Sequence, residues 1–181
     1  ASIKYLTLLH QAVGDRCFAW GIASDDSGTQ RAEFINPNLW AEMIKPHYQK
    51  LCRWIHTHTP WKTFLHSCGS IYHLIPHFIE AGVDILNPVQ TSAANMDPAR
   101  LKKEFGDSIV FWGGGCDTQS VLERATPDEI REHVRERLAV FAPGGGYVFN
   151  QVHNIQRNVP AENVIAMLDA ALEYGIYRTA N

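Results

Sequence analysis

The run Val83-Asp84-Ile85-Leu86, followed at once by the polar turn Asn87-Pro88-Val89-Gln90, shows the pattern that decides the fold of this chain. A short run of apolar and β-branched residues that ends in a polar or glycine-rich turn is typical of a buried strand in an α/β protein. The pattern occurs five times, and the predicted strands are residues 17–22, 62–65, 83–86, 109–112 and 147–150.

Amphipathic stretches with helix-start signals lie between these strands. Three signals place a capping side chain before a first-turn proline: Asn36-Pro37, Asp97-Pro98 and Thr126-Pro127. The first predicts one long helix with an apolar stripe to about His56, and Glu129 completes a capping-box pattern in the third. Pro160 begins the last predicted helix, whose inward side chains are predicted to be Val164, Ile165, Leu168 and Leu172.

Strands that alternate with covering helices are parallel and buried, and two architectures satisfy this pattern. One is an open doubly wound sheet, and the other is a (β/α)8 barrel. Because a complete barrel takes about 250 residues, a barrel requires that three amino-terminal βα units are missing from these 181 residues. No repeat, low-complexity tract or linker divides the sequence, so residues 1–181 are predicted to form a single domain.

Composition excludes several classes of protein. The formal net charge is −3 and 19% of the residues are charged, which argues against a nucleic-acid partner, since such partners need clustered like charge. No run of 18 apolar residues and no signal peptide is present, so no membrane association is expected. Four cysteines are too few for a disulfide scaffold and fit a reducing environment, so a cytoplasmic location is expected.

Polar residues of unusual type follow each predicted strand. In parallel α/β folds this carboxyl edge of the sheet is where ligands bind. Asp25 and Asp26 are candidate acid/base or substrate-orienting groups, although Asp26 is equally suited to cap the Ser27-Gly28 turn. The other candidate substrate-binding residues at this edge are Asn87, Gln90, Asp117, Asn150 and Gln151.

His66 and Cys68 form a candidate metal-binding pair. Residues i and i+2 of an extended segment point the same way, so an imidazole and a thiolate at this spacing can reach one zinc ion. A catalytic zinc site needs a third protein ligand, and Cys116 and His153 are the two candidates. Taken singly, each residue of the pair is also compatible with a packing role.

Several stretches together resemble the uroporphyrinogen decarboxylase superfamily. They are His66-Ser67-Cys68-Gly69-Ser70, residues 81–88, Gly113-Gly114-Gly115-Cys116-Asp117, and residues 149–154 followed by Val159-Pro160-Ala161-Glu162-Asn163. The resemblance implies a (β/α)8 TIM barrel, of which this chain would be the carboxyl-terminal five βα units. It also implies one of two chemistries, a cofactor-free tetrapyrrole decarboxylation or a zinc-dependent methyl transfer that involves corrinoid proteins.

The His-x-Cys pair favours the methyltransferase, because zinc lowers the pKa of a thiol and holds the thiolate as a nucleophile. The resemblance then implies the ligands His66, Cys68 and His153, with His153 standing where those methyltransferases usually carry a cysteine and Cys116 as a substitute. Asp25, Asp26 and His153 are the expected catalytic residues. The expected partners are a small methyl donor or acceptor, a corrinoid protein, and a second copy or a complementary barrel fragment.

Two alternatives remain open at this stage. A decarboxylase of the superfamily would need no metal and would bind substrate carboxylates through basic residues. A non-catalytic half-barrel would only associate with a complementary chain, because unpaired strands and uncovered helices are costly to leave in water.

Overall fold

The computed structural model describes residues 3–176 and contains one five-stranded sheet. All neighbouring strands pair in parallel and follow one another in chain order. The strands are β1 (Ala19–Ala23), β2 (Lys62–His66), β3 (Ile85–Asn87), β4 (Val110–Trp112) and β5 (Tyr147–Val148). The predicted α/β architecture is therefore confirmed, with each strand shifted or shortened by at most two residues.

Seven helices connect and cover the strands within the described part of the chain. They are α1 (Ile3–Val13), α2 (Pro37–Met43), α3 (Lys45–His58), α4 (Ile75–Ala81), α5 (Pro98–Phe105), α6 (Pro127–Phe141) and α7 (Ala161–Tyr174). The sequence analysis assigned no element to the segment that forms α1. That segment carries no acidic residue in its first turn, so the usual start signal is weak. Its apolar residues Ile3, Leu6, Leu9 and Val13 nevertheless recur at helical spacing.

The single helix predicted from Pro37 to about His56 is wrong, because the structure divides it into α2 and α3. Ile44 ends α2, donating its N–H to the carbonyl of Trp40, and it also precedes the first turn of α3. Pro46 lies in that first turn, where a missing N–H costs nothing. Inside a continuous helix the same proline would remove a hydrogen bond, so the chain restarts.

The predicted inward face of α7 is also wrong. Ile165, Leu168 and Leu172 are 58%, 51% and 77% exposed. The buried side chains are instead Asn163, Ala166, Met167 and Ala170. The helix is apolar on two faces, and the face that carries Ala166, Met167 and Ala170 is the one that is buried.

Local capping signals form as predicted. The Thr126 hydroxyl accepts a hydrogen bond from the Glu129 N–H, and the Glu129 carboxylate accepts one from the Thr126 N–H. Asp97 and Asn36 accept from backbone N–H groups in the first turns of α5 and α2. These reciprocal bonds satisfy donors that a helix start otherwise leaves unpaired.

The two faces of the sheet differ. Leu65 points into the core beneath the helices, whereas Phe64 and His66 alternate with it and are half-buried on the opposite face. On that face Trp112 contacts Phe64 edge-on at a ring-centroid distance of 5.6 Å and stacks on Phe18 at 6.1 Å. His66 lies on this aromatic face, at the carboxyl end of β2. No helix within residues 3–176 has the length and apolar character needed to cross a membrane.

Candidate functional site

Four potential metal ligands, the ligand cluster, lie at the carboxyl edge of the sheet, and three of them form one tight group. The Cys68 Sγ lies 3.4 Å from His66 Nε2 and 3.5 Å from His153 Nδ1. The ligand atoms of Asp26, His66 and Cys68 all lie within 4.8 Å of one another, with 4.0 Å between Asp26 Oδ1 and His66 Nε2. The structure thus groups the predicted pair His66 and Cys68 with Asp26, which was expected to be an acid/base or substrate-orienting group. His153 contacts Cys68 but lies outside this group of three.

The cluster depends on loops from distant strands. Asp26 follows β1, Cys68 follows β2 and His153 follows β5. In a flat sheet β2 and β5 would lie about 14 Å apart, three strand spacings of about 4.8 Å. The 3.5 Å contact between Cys68 and His153 therefore requires that the sheet curves and that its carboxyl-end loops converge, as in a barrel.

The imidazole of His66 is oriented by Asn87, its neighbour in the register of β2 and β3. The Asn87 amide nitrogen donates to the carbonyl oxygen of Trp112 at 2.8 Å, which turns the Asn87 Oδ1 toward His66 Nδ1 at 2.6 Å. An amide oxygen only accepts, so Nδ1 carries the proton and Nε2 keeps its lone pair. That lone pair is on the nitrogen that faces Cys68.

Asp26 and its neighbours fasten the loop after β1 to the loop after β2. The Asp26 Oδ1 accepts a hydrogen bond from the Cys68 N–H at 2.9 Å, and the Ser27 N–H donates to Ser67 Oγ at 2.9 Å. Gly69 has a φ of +89°, and a Cβ there would lie 2.4 Å from the backbone of Gly28. Only glycine allows this close approach. The contact between Gly69 and Gly28 therefore sets the distance between the two loops.

The donor types and the two distances from Cys68 fit zinc. Tetrahedral zinc with sulfur and nitrogen ligands places those atoms about 3.5 Å apart, close to the two distances measured from Cys68 Sγ. Burial and the adjacent Asp26 carboxylate raise the pKa of the Cys68 thiol to about 12, so a thiolate here needs a bound cation. Burial lowers the pKa of His153, which favours the neutral imidazole that ligates metals.

Two predicted residues are not brought to this cluster. Cys116 is completely buried in the core, and burial together with Asp117 raises the pKa of its thiol to about 12. Asp25 is exposed and lines a separate cleft of about 500 Å³ beside Tyr48, between β1 and α3. Of the two candidates for the third ligand, His153 is therefore the one that contacts Cys68.

Two further candidates have structural partners. The Asp117 Oδ1 accepts from the N–H groups of Gln119 and Ser120, capping the turn after β4, and Gln90 Oε1 accepts from the Gly69 N–H at 2.9 Å. Burial opposes ionisation of Asp117, but the hydrogen bonds it accepts outweigh that effect and hold its pKa below the usual range. Both residues shape the loops around the site.

A cleft of about 770 Å³ opens beside the cluster. Asn150 and Gln151 line it, as expected for substrate-binding residues, and so do His66, Asn87 and His153. Lining residues that the sequence analysis did not single out are Pro88, Thr118, Gln119, Glu123, Val152, Asn154 and Gln156. Pro88, Val152 and Asn154 lie within the strand-end segments identified from the sequence. The others follow the segments after β4 and β5, so extending those segments by a few residues would have found them.

Comparisons with known proteins agree with this architecture. The family model described as uroporphyrinogen decarboxylase (URO-D) matches residues 19–174. A uroporphyrinogen decarboxylase of Psychromonas ingrahamii is 38% identical over 78 residues, which cover 43% of this chain and 21% of the relative. A second, from Actinobacillus succinogenes, is 48% identical over 76 residues, covering 42% of this chain and 21% of the relative.

A solved structure shares the fold. A methyltransferase from Methanosarcina mazei superposes with a TM-score of 0.67 at 20% sequence identity, covering 96% of this chain and 52% of its own. The matched part thus spans about half of that structure and about a fifth of the curated relatives. The five βα units therefore correspond to part of a larger barrel.

Proposed function

This chain belongs to the uroporphyrinogen decarboxylase family, and from that premise we propose that it forms part of a zinc-dependent methyltransferase that acts on a thiol. The observation that carries the proposal is the group of Asp26, His66 and Cys68. Its Cys68 Sγ lies 3.4 Å from His66 Nε2 and 3.5 Å from the Nδ1 of the adjacent His153. The fold of the Methanosarcina mazei methyltransferase is compatible with it.

His66, Cys68 and His153 would hold the metal, with Asp26 at the edge of the cluster. Zinc, when bound, lowers the pKa of an incoming thiol and stabilises the thiolate at neutral pH. Asn87 keeps the His66 Nε2 lone pair pointed at the metal position, and the hydrogen bond from Cys68 to Asp26 holds the ligand loop in place.

The chain's own residues then serve binding and proton movement. The Asp26 side chain is 50% exposed beside the cluster, so it can accept the thiol proton and pass it to water. The thiolate electron pair forms the new S–CH3 bond, while the electron pair of the broken bond stays with the methyl donor. In this proposal the donor is a corrinoid carried by a partner protein, and the cleft holds the remainder of the thiol.

A decarboxylase is the second candidate, because the curated relatives are named uroporphyrinogen decarboxylase. It predicts full function without metal and gives the His66–Cys68 pair no chemical task. Cations for substrate carboxylates would have to come from outside the cleft described above, whose lining contains none among residues 3–176.

Metal content tests the proposal directly. The full chain is treated with a mild chelator, reconstituted with zinc and subjected to elemental analysis, beside Cys68→Ser and His153→Ala. We expect near one zinc per chain in the wild type and a loss in both variants, because each removes a ligand of a site with few protein donors.

Matched variants separate ligand loss from general damage. Cys17→Ser and His47→Ala make the same chemical changes at residues that lie outside the cluster, so they should keep the wild-type zinc content. Circular dichroism checks that every variant is folded. Folded wild-type protein that retains no zinc would refute the methyltransferase proposal and favour the decarboxylase.

A further inference from the structure

The turn after β3 comprises residues 87–90 and packs against the ligand loop, residues 66–70. Gln90 is 3% exposed, and its Oε1 accepts a hydrogen bond from the Gly69 N–H at 2.9 Å. Gly69 directly follows Cys68 in the sequence. This bond therefore fixes the peptide group that joins the candidate thiolate ligand to the rest of the loop.

The same turn also holds the loop before Cys68. Asn87 orients the His66 ring through Nδ1, and the Asn87 carbonyl oxygen accepts a hydrogen bond from the Ser67 N–H at 2.8 Å. Together with the bond to Gln90, these contacts lie on both sides of Cys68 in the sequence. They restrict the backbone of the residue that carries the sulfur, as partners of metal ligands commonly do.

The backbone of the turn is strained at Val89. Its φ is +58°, a left-handed conformation that is rare for a β-branched residue, and its side chain is completely buried. Strain of this kind persists only where the surrounding structure enforces it. Gly113 and Gly114 supply that support, because a Cβ on Gly113 would overlap the Pro88 carbonyl and the Gly114 N–H donates to the same oxygen at 2.9 Å. The glycines after β4 therefore support this turn.

We infer that Gln90 is a positioning residue of the metal site, and that its side-chain oxygen holds the ligand loop in the conformation that brings Cys68 Sγ near His66 and His153. The inference rests on the proposed function and adds a residue that lies outside the lining of the cleft. The Gln90 Nε2 is buried and has no hydrogen-bond partner among residues 3–176, so the oxygen is the atom through which Gln90 acts.

Cobalt(II) in place of zinc tests this role, because its visible bands and its thiolate charge-transfer band report the geometry around the metal. It is titrated into the full chain, into Gln90→Met and into Gln90→Glu, each freed of metal with a chelator. Methionine fills similar space without an acceptor for the Gly69 N–H, whereas glutamate keeps an acceptor oxygen in either protonation state.

We expect weaker and shifted cobalt bands in Gln90→Met, and bands like those of the wild type in Gln90→Glu. Zinc affinity, measured by competition with a chromophoric chelator, should fall about tenfold in Gln90→Met. This is the lower end of the usual effect of losing an outer partner of a metal ligand, because Gln90 acts through the loop backbone and not through a ligand side chain.

Asn163→Leu provides the matched control for the loss of a buried amide. Asn163 is 3% exposed and donates to the carbonyl oxygens of Leu122 and Ala125 at 3.0 and 2.9 Å. None of these three residues belongs to the ligand loop or to the cleft lining. The variant loses two buried hydrogen bonds, so it should melt at a lower temperature than the wild type. It should nevertheless keep the wild-type cobalt spectrum and zinc affinity.

A cobalt spectrum and zinc affinity in Gln90→Met that match the wild type would overturn the inference while the metal site stands. Equal losses in Gln90→Met and Asn163→Leu would also overturn it, because the effect would then follow from stability alone. If Gln90→Met does not fold, amide exchange in the zinc-loaded wild type decides. The Gly69 N–H should exchange slowly, and exchange at the rate of an unprotected amide would overturn the inference.

The same titrations test the proposed function separately. Folded wild-type protein that binds neither cobalt nor zinc would overturn the proposed function, and this inference with it.

Discussion

The hydrogen bond between His66 Nδ1 and the Asn87 amide oxygen determines which nitrogen of His66 is available to a metal. Asn87 is itself fixed by the carbonyl of Trp112, so a chain of two hydrogen bonds runs from β4 through β3 to β2. Asn87, which was predicted from the sequence to bind substrate, therefore orients a candidate metal ligand.

Replacing Asn87 by leucine should weaken zinc binding about 10- to 100-fold, the usual effect of losing the partner of a ligating histidine. Leucine cannot accept a hydrogen bond from the Nδ1–H, so the ring loses both its tautomer preference and its orientation. Competition with a chromophoric chelator measures the affinity. Asn38→Leu, on the exposed side of α2, makes the same change elsewhere and should have no effect. Equal affinities in folded Asn87→Leu and wild type would contradict this role.

The sequence identified the His66–Cys68 pair because the strand period puts residues i and i+2 on one side, which is a local property. It could not decide between His153 and Cys116, because that choice depends on how far the sheet curves and on which side of β4 the chain turns inward. The position of Asp26 as a neighbour of the sulfur required knowledge of how two loops pack, and no spacing within one segment carries that information.

At the scale of elements, local chemistry was sufficient for most boundaries. The capping box at Thr126 and the caps at Asn36 and Asp97 act within one turn, so the sequence alone located these helix starts. The buried face of α7 was misassigned, since both of its faces are apolar and only the packing against α6 decides between them. To predict the break between α2 and α3, Pro46 would have had to be assigned to the first turn of a new helix.

The turn after β4 gives a pH-dependent prediction. The pKa of Asp117 is lowered in the folded protein, so its carboxylate stabilises the fold above its unfolded-state pKa of about 3.9. This stabilisation is lost as the pH falls through the pKa that Asp117 has in the folded protein. Asp117→Ala should therefore lower the free energy of unfolding by about 1–3 kcal/mol at pH 7 and by progressively less below pH 4.

Urea unfolding at several pH values measures this difference. Asp128→Ala serves as the comparison, because Asp128 is exposed in the first turn of α6. It should cost well under 1 kcal/mol. A difference between wild type and Asp117→Ala that does not change with pH would show that the carboxylate charge is not what stabilises the turn.

At the scale of the whole molecule, helix α7 exposes a row of apolar side chains to solvent. Ile165, Leu168 and Leu172 form a row on α7 at helical spacing, and each is more than half exposed. A row of this kind is typical of a surface that packs against another helix, in a second copy or in further βα units. We therefore expect the isolated 20.4 kDa chain to associate.

Sedimentation velocity over a range of concentrations tests this expectation. The double variant Leu168→Lys/Leu172→Lys should sediment closer to the monomer than wild type while keeping its zinc content. Ala99→Lys introduces one lysine on the exposed side of α5 and should not change the association. Wild-type chain that stays monomeric at every concentration would contradict the expectation.

A metal bound at the ligand cluster would also stabilise the edges of the sheet. The residues of this cluster come from the end of β2 and from the loops after β1, β2 and β5. A bound metal would therefore link the two edge strands, each of which pairs on one side only within residues 3–176. Opening of either edge strand would first require a ligand to leave the metal. A metal bound to Cys68 and His153 would also close the chain between them into a loop, and that loop contains β3, β4 and β5. Amide exchange at the two edges would then slow in parallel, although three strands separate them.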